Sequence, residues 1–67
     1  MSERSKFEQS YIGLEKRAAQ NKAERDNMIF RLVSVNGEKM FGPPEDQRTD
    51  RICCIIQDNR VEDAYVQ

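Results

Sequence analysis

Phe7, Tyr11, Leu14 and Ala18 fall at i, i+4, i+7 and i+11, the spacing of one face of an α-helix. Ile12, Ala19 and Ala23 lie beside that stripe and widen it. Ahead of it, Ser5-Lys6-Phe7-Glu8 has the S-x-x-E form of a capping box, whose two side chains satisfy the first free amides of a helix. No proline interrupts before Pro43, and alanine with long charged residues favours helix through Arg25. The pattern predicts one helix over about residues 5–26. Its flaw is Gly13, which costs up to about 1 kcal/mol against alanine in a helix interior. The first half is expected to dock on a sheet and the second half to project into solvent or toward a partner. The stripe runs on through Asn21, Arg25 and Met28, but two of these are polar, which leaves too few sound heptads for a long coiled coil.

From Met28 to Val35 the chain is rich in β-branched and aromatic residues and too short for a helix of its own. Asn36-Gly37 follows, the dipeptide best suited to the positive φ angles of a two-residue hairpin turn. Folding there predicts a hairpin over about 28–41, with Val35 opposite Glu38, Ser34 opposite Lys39, Val33 opposite Met40 and Leu32 opposite Phe41. Alternation then puts Leu32 and Phe41 on one face and Val33 and Met40 on the other. Residues 42–50 read as a loop, because Pro43 and Pro44 remove ladder donors and no apolar residue follows until Ile52. Ile52-Cys53-Cys54-Ile55-Ile56 reads as a strand at 51–57 buried on both faces. Asp58-Asn59 is a turn signal, and residues 60–66 suit a last strand, with a short helix as the alternative. The elements add up to an α+β domain: an N-terminal helix packed on a small antiparallel sheet of three or four strands.

Sixty-seven residues leave room for one small domain with a thin core. Domains of this size commonly add disulfides, a metal or a partner. Cys53 and Cys54 are adjacent, so on a strand their side chains leave opposite faces and do not pair with each other. There is no histidine to complete a zinc site. That leaves association. A helix covers only one face of the hairpin, so the face carrying Val33, Val35 and Met40 is expected to stay exposed unless the strand at 52–56 curls over it or another protein or a second copy covers it. A contiguous apolar patch on so small a domain marks an interaction surface.

The charge is nearly balanced, with 11 Lys/Arg against 12 Asp/Glu, unlike the basic footprint of a protein built to hold phosphate backbones. Lys16, Arg17, Lys22 and Arg25 form the densest basic cluster and are candidate partner contacts. Glu15, Glu24 and Asp26 dilute their field, so nucleic acid is not the favoured partner. The free thiols and the absence of a signal-like N-terminus fit a reducing, cytoplasmic setting, and no apolar run is long enough to span a bilayer.

Val35-Asn36-Gly37-Glu38-Lys39-Met40-Phe41-Gly42, followed by Asp50 and the run Ile52–Ile56, resembles the first motif and following strand of the Sm and Sm-like proteins, the Hfq family included. The resemblance covers about half the chain. It implies an N-terminal helix on a strongly bent antiparallel barrel, closed into rings that bind RNA. Pro43-Pro44 fall where that family continues its second strand, and its histidine-bearing second motif has no counterpart here.

Catalytic equipment is sparse. Without histidine there is no Ser-His or Cys-His arrangement and no base poised near neutral pH. Phosphate-cradling glycine motifs are absent from the sequence. Glu62 and Asp63 are neighbours and point apart on a strand, and the aspartates lack the alternation of a calcium loop. No cofactor or metal is expected. The residues therefore suggest a non-catalytic protein, not an enzyme. It would bind a macromolecular partner, most readily another protein, as regulator, inhibitor or assembly subunit, in the manner of the compact regulators that phages and bacteria encode. The alternative is an Sm-like RNA-binding ring subunit.

Overall fold

The capping box forms as its sequence suggests, and the helix it starts lasts one turn. In the computed structural model, which describes residues 4–67, the Ser5 hydroxyl accepts from the Glu8 amide at 3.1 Å and the Glu8 carboxylate accepts from the Ser5 amide at 2.7 Å. Helix α1 is Lys6–Gln9 and α2 is Lys16–Arg25. The single helix expected over 5–26 is broken at Gly13, whose φ of 90° no right-handed helix accommodates. The break lets this stretch pair with the sheet: Gly13 donates to the Val61 carbonyl and Val61 donates to the Leu14 carbonyl, each at 2.8 Å. It also resets the helical phase. Ala19 and Ala23 turn into the core and Ala18 faces solvent, so α2 docks along the sheet and does not project.

Strand β1 is Ile29–Val35, β2 Glu38–Lys39, β3 Arg51–Gln57 and β4 Arg60–Val66. The C-terminal segment is thus a strand and not a short helix. Asn36 and Gly37 have φ of 53° and 81°, and Asp58 and Asn59 have 52° and 65°, so both tight turns use two consecutive positive angles. Val35 stands opposite Glu38 and Ser34 opposite Lys39, as the Asn-Gly turn dictates.

The fold is α+β, and its sheet is mixed. The order is β2-β1-β3-β4, with β1 and β3 parallel and the other pairs antiparallel. The parallel pair departs from the all-antiparallel arrangement that the turn signals suggested. Two features account for it. The loop after β2 returns the chain to the end where β1 begins, where the Ile29 amide donates to the Asp50 carbonyl at 2.7 Å. Strand β3 is also the most apolar, and a central place covers it on both edges and both faces. Because β1 and β3 run the same way, the two tight turns lie together, and the Asn36 side chain accepts from the Asp58 amide at 2.8 Å.

Both neighbours of β3 are bulged at one level. The β1 register slips between Leu32 and Ser34, and the β4 register slips between Val61 and Asp63, on either side of Ile55. The bulges leave Val33 and Glu62 without direct partners and reverse the alternation beyond them. Leu32 and Val35 therefore both pack toward the helices, as do Val61 and Ala64. The helix-side core consists of Tyr11, Ala19, Ala23, Ile52, Cys54, Ile56, Val61 and Ala64.

The other face carries Arg31, Cys53 and Tyr65 side by side, as the registers require. Among the described residues no helix lies on it, yet Cys53 is fully buried. Its cover comes from the same chain. The Arg31 guanidinium donates to the carbonyls of Gly42 at 2.9 Å and Phe41 at 3.0 Å. Arg51 donates to the Asp46 carbonyl at 3.2 Å and to its carboxylate at 2.9 Å. The Gln67 amide reaches the Pro44 carbonyl at 3.4 Å. One side chain from β1, one from β3 and one just past β4 thus hold the segment 41–46 across this face, and within it Gly42 and Pro44 are buried. Farther along β4, Arg4 makes two hydrogen bonds to Asp63, at 2.9 and 2.6 Å, and lies over the Tyr65 ring.

Candidate partner-binding surface

The two edges of the sheet are treated differently. On the β4 side, Gly13 and Leu14 occupy the backbone of Val61, Glu15 bridges to Arg60, and the Glu8 carboxylate accepts from the Val66 amide at 2.7 Å. That edge is closed. Burial works against the Glu8 charge, but the Ser5 and Val66 amides outweigh it and hold its carboxyl below the usual range. The opposite edge is covered only over its second half, where β2 pairs with Ser34 and Val35 and the amides of Met40, Phe41 and Gly42 reach the carbonyls of Val33 and Leu32. Since the Ile29 amide points to β3, alternation turns the Phe30 amide and carbonyl toward the open side. Among the described residues no strand lies beside them.

Three large apolar side chains stand exposed along this margin: Ile29 at 47%, Met40 at 49% and Phe41 at 68%. The sequence explains their exposure. Pro43 and Pro44 cannot continue β2, so regular pairing ends at Lys39 and Met40 and Phe41 keep only single amide bonds to the Val33 and Leu32 carbonyls. Phe41 is nonetheless fixed. Its amide donates to the Leu32 carbonyl at 3.2 Å and its own carbonyl accepts from Arg31. The next residue turns back through a positive φ of 69° at Gly42, where a Cβ would sit 2.5 Å from the Lys39 Cε atom. The result is an exposed side chain on a hydrogen-bonded backbone, the arrangement of an apolar anchor.

The residues singled out from the sequence do not form one patch. Val33 is buried, Val35 is half-buried against the helix-side core with Leu32, and of the three only Met40 is exposed. The β1 bulge separates Val33 from Val35, and alternation alone could not register it. The basic cluster divides as well. Lys16 and Arg17 border a surface hollow with Glu15, Gln20 and Asn59 at the start of α2, and Arg25 is exposed at the far end. Lys22 bonds the Asp26 carboxylate at 2.8 Å and sits over the rings of Tyr11 and Phe7, so its charge is internally engaged. Ile29, Phe41 and Arg31 were missed by the sequence reading. The signal available for Phe41 was the Gly-Pro-Pro that follows it.

The remaining polar clusters are engaged with themselves. Arg48 pairs with Asp50 at 2.7 and 2.8 Å beside a hollow lined by Gln47, Thr49, Val66 and Gln67. Asp63 is held below the ordinary carboxylate range chiefly by its bonds from Arg4, and Asp46 by its bond from Arg51. Burial pushes the Cys53 thiol up, against the pull of Arg51 and Arg31, and pushes Cys54 to about 12. Neither thiol has the depressed pKa of a nucleophile. Among the described residues no three His, Cys, Asp or Glu side chains converge as a metal site needs, and no helix is long and apolar enough to cross a membrane. No family model, curated protein or solved structure matches the chain.

Proposed function

We propose that this is a non-catalytic protein that binds another protein through the margin formed by Ile29, Met40 and Phe41, as a regulator, inhibitor or assembly subunit. The observation that carries the reading is Phe41, 68% exposed on a backbone held by Arg31 and Leu32. Binding energy concentrates in a few apolar or aromatic anchors near the centre of an interface, and an anchor already ordered loses little entropy on docking. The open edge beside Phe30 offers backbone groups to an extended segment of the same partner. Three side chains fill only part of the ~800 Å² that a stable complex buries on each partner. They suit the middle of an interface, with Lys39, Glu38 and the proline loop as its rim.

The test places a photoreactive cross-linker at Met40 in the source cell and repeats the experiment with Phe41→Ala. A discrete protein adduct that disappears with Phe41→Ala, while the far-ultraviolet spectrum and melting curve are unchanged, supports the reading. An adduct equally strong in the variant overturns it. So does a gel shift in which short A-rich or U-rich RNA binds at moderate salt, which would favour the Sm-like ring subunit.

A further inference from the structure

Segment 43–49 is attached to the sheet unlike any other part of the chain. Among the described residues it makes no backbone–backbone hydrogen bond: Gly42 donates to Val33 on one side, Asp50 accepts from Ile29 on the other, and nothing between them joins a ladder. Only Pro44 is buried in this stretch. What holds it down is the Gln67 contact to Pro44 at 3.4 Å and the Arg51 contacts to Asp46 at 3.2 and 2.9 Å. Its ends, by contrast, are clamped. Arg31 binds the carbonyls of Phe41 and Gly42, and the Asp50 carbonyl accepts from the Ile29 amide at 2.7 Å. On the same face lies Cys53, fully buried, opposite Arg31 and with its Sγ 3.8 Å from the Gln67 carbonyl.

We propose that residues 43–49 form a lid that lifts from the sheet as a unit between these two clamps, baring Cys53 while the rest of the fold stays closed. The free energy of local opening follows the contacts broken, and segments with few buried apolar contacts and no ladder bonds open well below the global unfolding energy. Lifting this lid breaks three side-chain contacts and exposes one proline. Exposing Cys54 requires separating the helices from the sheet, because it packs with Tyr11, Ala19 and Ala23. The two adjacent thiols are therefore guarded by unrelated events. When open, the lid uncovers Cys53 beside Arg31 and Arg51, a surface that the closed form does not present.

Pulse labelling of the native chain with iodoacetamide, followed by peptide mapping, reads both thiols in one sample. Cys53 is expected to label at least about tenfold faster than Cys54 and with little dependence on low urea, since local opening exposes little surface. Pro44→Gly and, separately, Gln67→Ala are expected to speed Cys53 several-fold and leave Cys54 unchanged. Equal rates and equal urea dependence for the two thiols in the parent would overturn the lid, because only global unfolding would then expose Cys53. A fast Cys53 that both variants leave unaltered would also overturn it, assigning the exposure to fraying of β4. Cys54 serves as the internal control for variants that merely destabilise the fold.

Discussion

The Tyr11 hydroxyl donates to the Asp26 carboxylate at 2.8 Å, joining the bend after α1 to the residue that caps the end of α2. Lys22 donates to the same carboxylate oxygen and lies 4.7 Å from the centre of the Tyr11 ring. A buried tyrosine thus has its one polar atom satisfied by a charge that stays at the surface. Burial, reinforced by the Asp26 bond, raises the Tyr11 pKa, and the bonds from Lys22 and Tyr11 lower that of Asp26.

This arrangement makes the two ends of the bond unequal. Tyr11→Phe removes the hydroxyl and returns Asp26 to water, with an expected loss of about 1 kcal/mol. Asp26→Ala leaves a buried hydroxyl without its acceptor and is expected to destabilise more than Tyr11→Phe. In the double variant the second change should add little, which urea unfolding of all four proteins would show. Additive losses would mean that the bond contributes nothing to the fold. Lys22→Asp, which a solvated helix face would tolerate, is expected to destabilise by placing a like charge on Asp26.

Gly13 gives a prediction whose sign depends on the broken helix. In a continuous helix over 5–26, Gly13→Ala would stabilise by up to about 1 kcal/mol. With φ at 90° the same change forces a Cβ into a strained backbone and is expected to cost about 1–2 kcal/mol. Space is not the obstacle, since a Cβ at Gly13 would meet nothing within 4 Å. A higher urea midpoint for Gly13→Ala would restore the single helix.

What was legible in the sequence was local. Ser5-x-x-Glu8, Asn36-Gly37 and Asp58-Asn59 each act within a few residues, and each formed as read. The run Ile52–Ile56 became the central strand because its apolar character suits no other place. What failed was non-local. Helix propensity through Ser10–Lys16 was outweighed by two backbone bonds to Val61, nearly fifty residues away. The parallel pairing of β1 with β3 depends on where a proline loop returns the chain. The cover of the second face depends on Arg31, which among the described residues bonds two backbone carbonyls and no carboxylate, and on Arg51, which bonds both the carbonyl and the carboxylate of Asp46. At the candidate surface, Met40 was legible, while Phe41, bonded to Leu32 as the hairpin register expects, is not covered by the helix with it.

The bulge in β1 separates two substitutions that simple alternation treats alike. Val33 is 8% exposed, so Val33→Lys buries an unpaired charge and is expected to unfold the domain or lower its stability by several kcal/mol. Met40 is 49% exposed, and Met40→Lys should leave the melting temperature within a few degrees of the parent. The loss expected of Met40→Lys is in partner cross-linking. If Val33→Lys folds normally, Val33 is not buried as described.

Alkaline pH should weaken the fold before it affects the surface. Cys53, Cys54 and Tyr11 all have raised pKa values, with burial the first cause in each case. For an acid whose folded pKa lies above its unfolded value, the native state keeps a proton that the unfolded chain releases. The associated stability is complete below the unfolded pKa and is lost as pH rises beyond it. Unfolded thiols release near pH ~8.5 and tyrosine near ~10. Stability is therefore expected to be level from about pH 6 to 8, to decline above about 8.5 and to steepen near 10, by up to ~1.4 kcal/mol per pH unit for each group. Cys54, pushed to about 12, should contribute across this whole range. Urea midpoints at pH 7.5, 8.5 and 9.5 measure the slope, and Cys54→Ala should reduce it even though the smaller side chain lowers stability at neutral pH. A parent whose midpoint stays constant to pH 9.5 would place both thiols in water, and the central position of β3 could not stand.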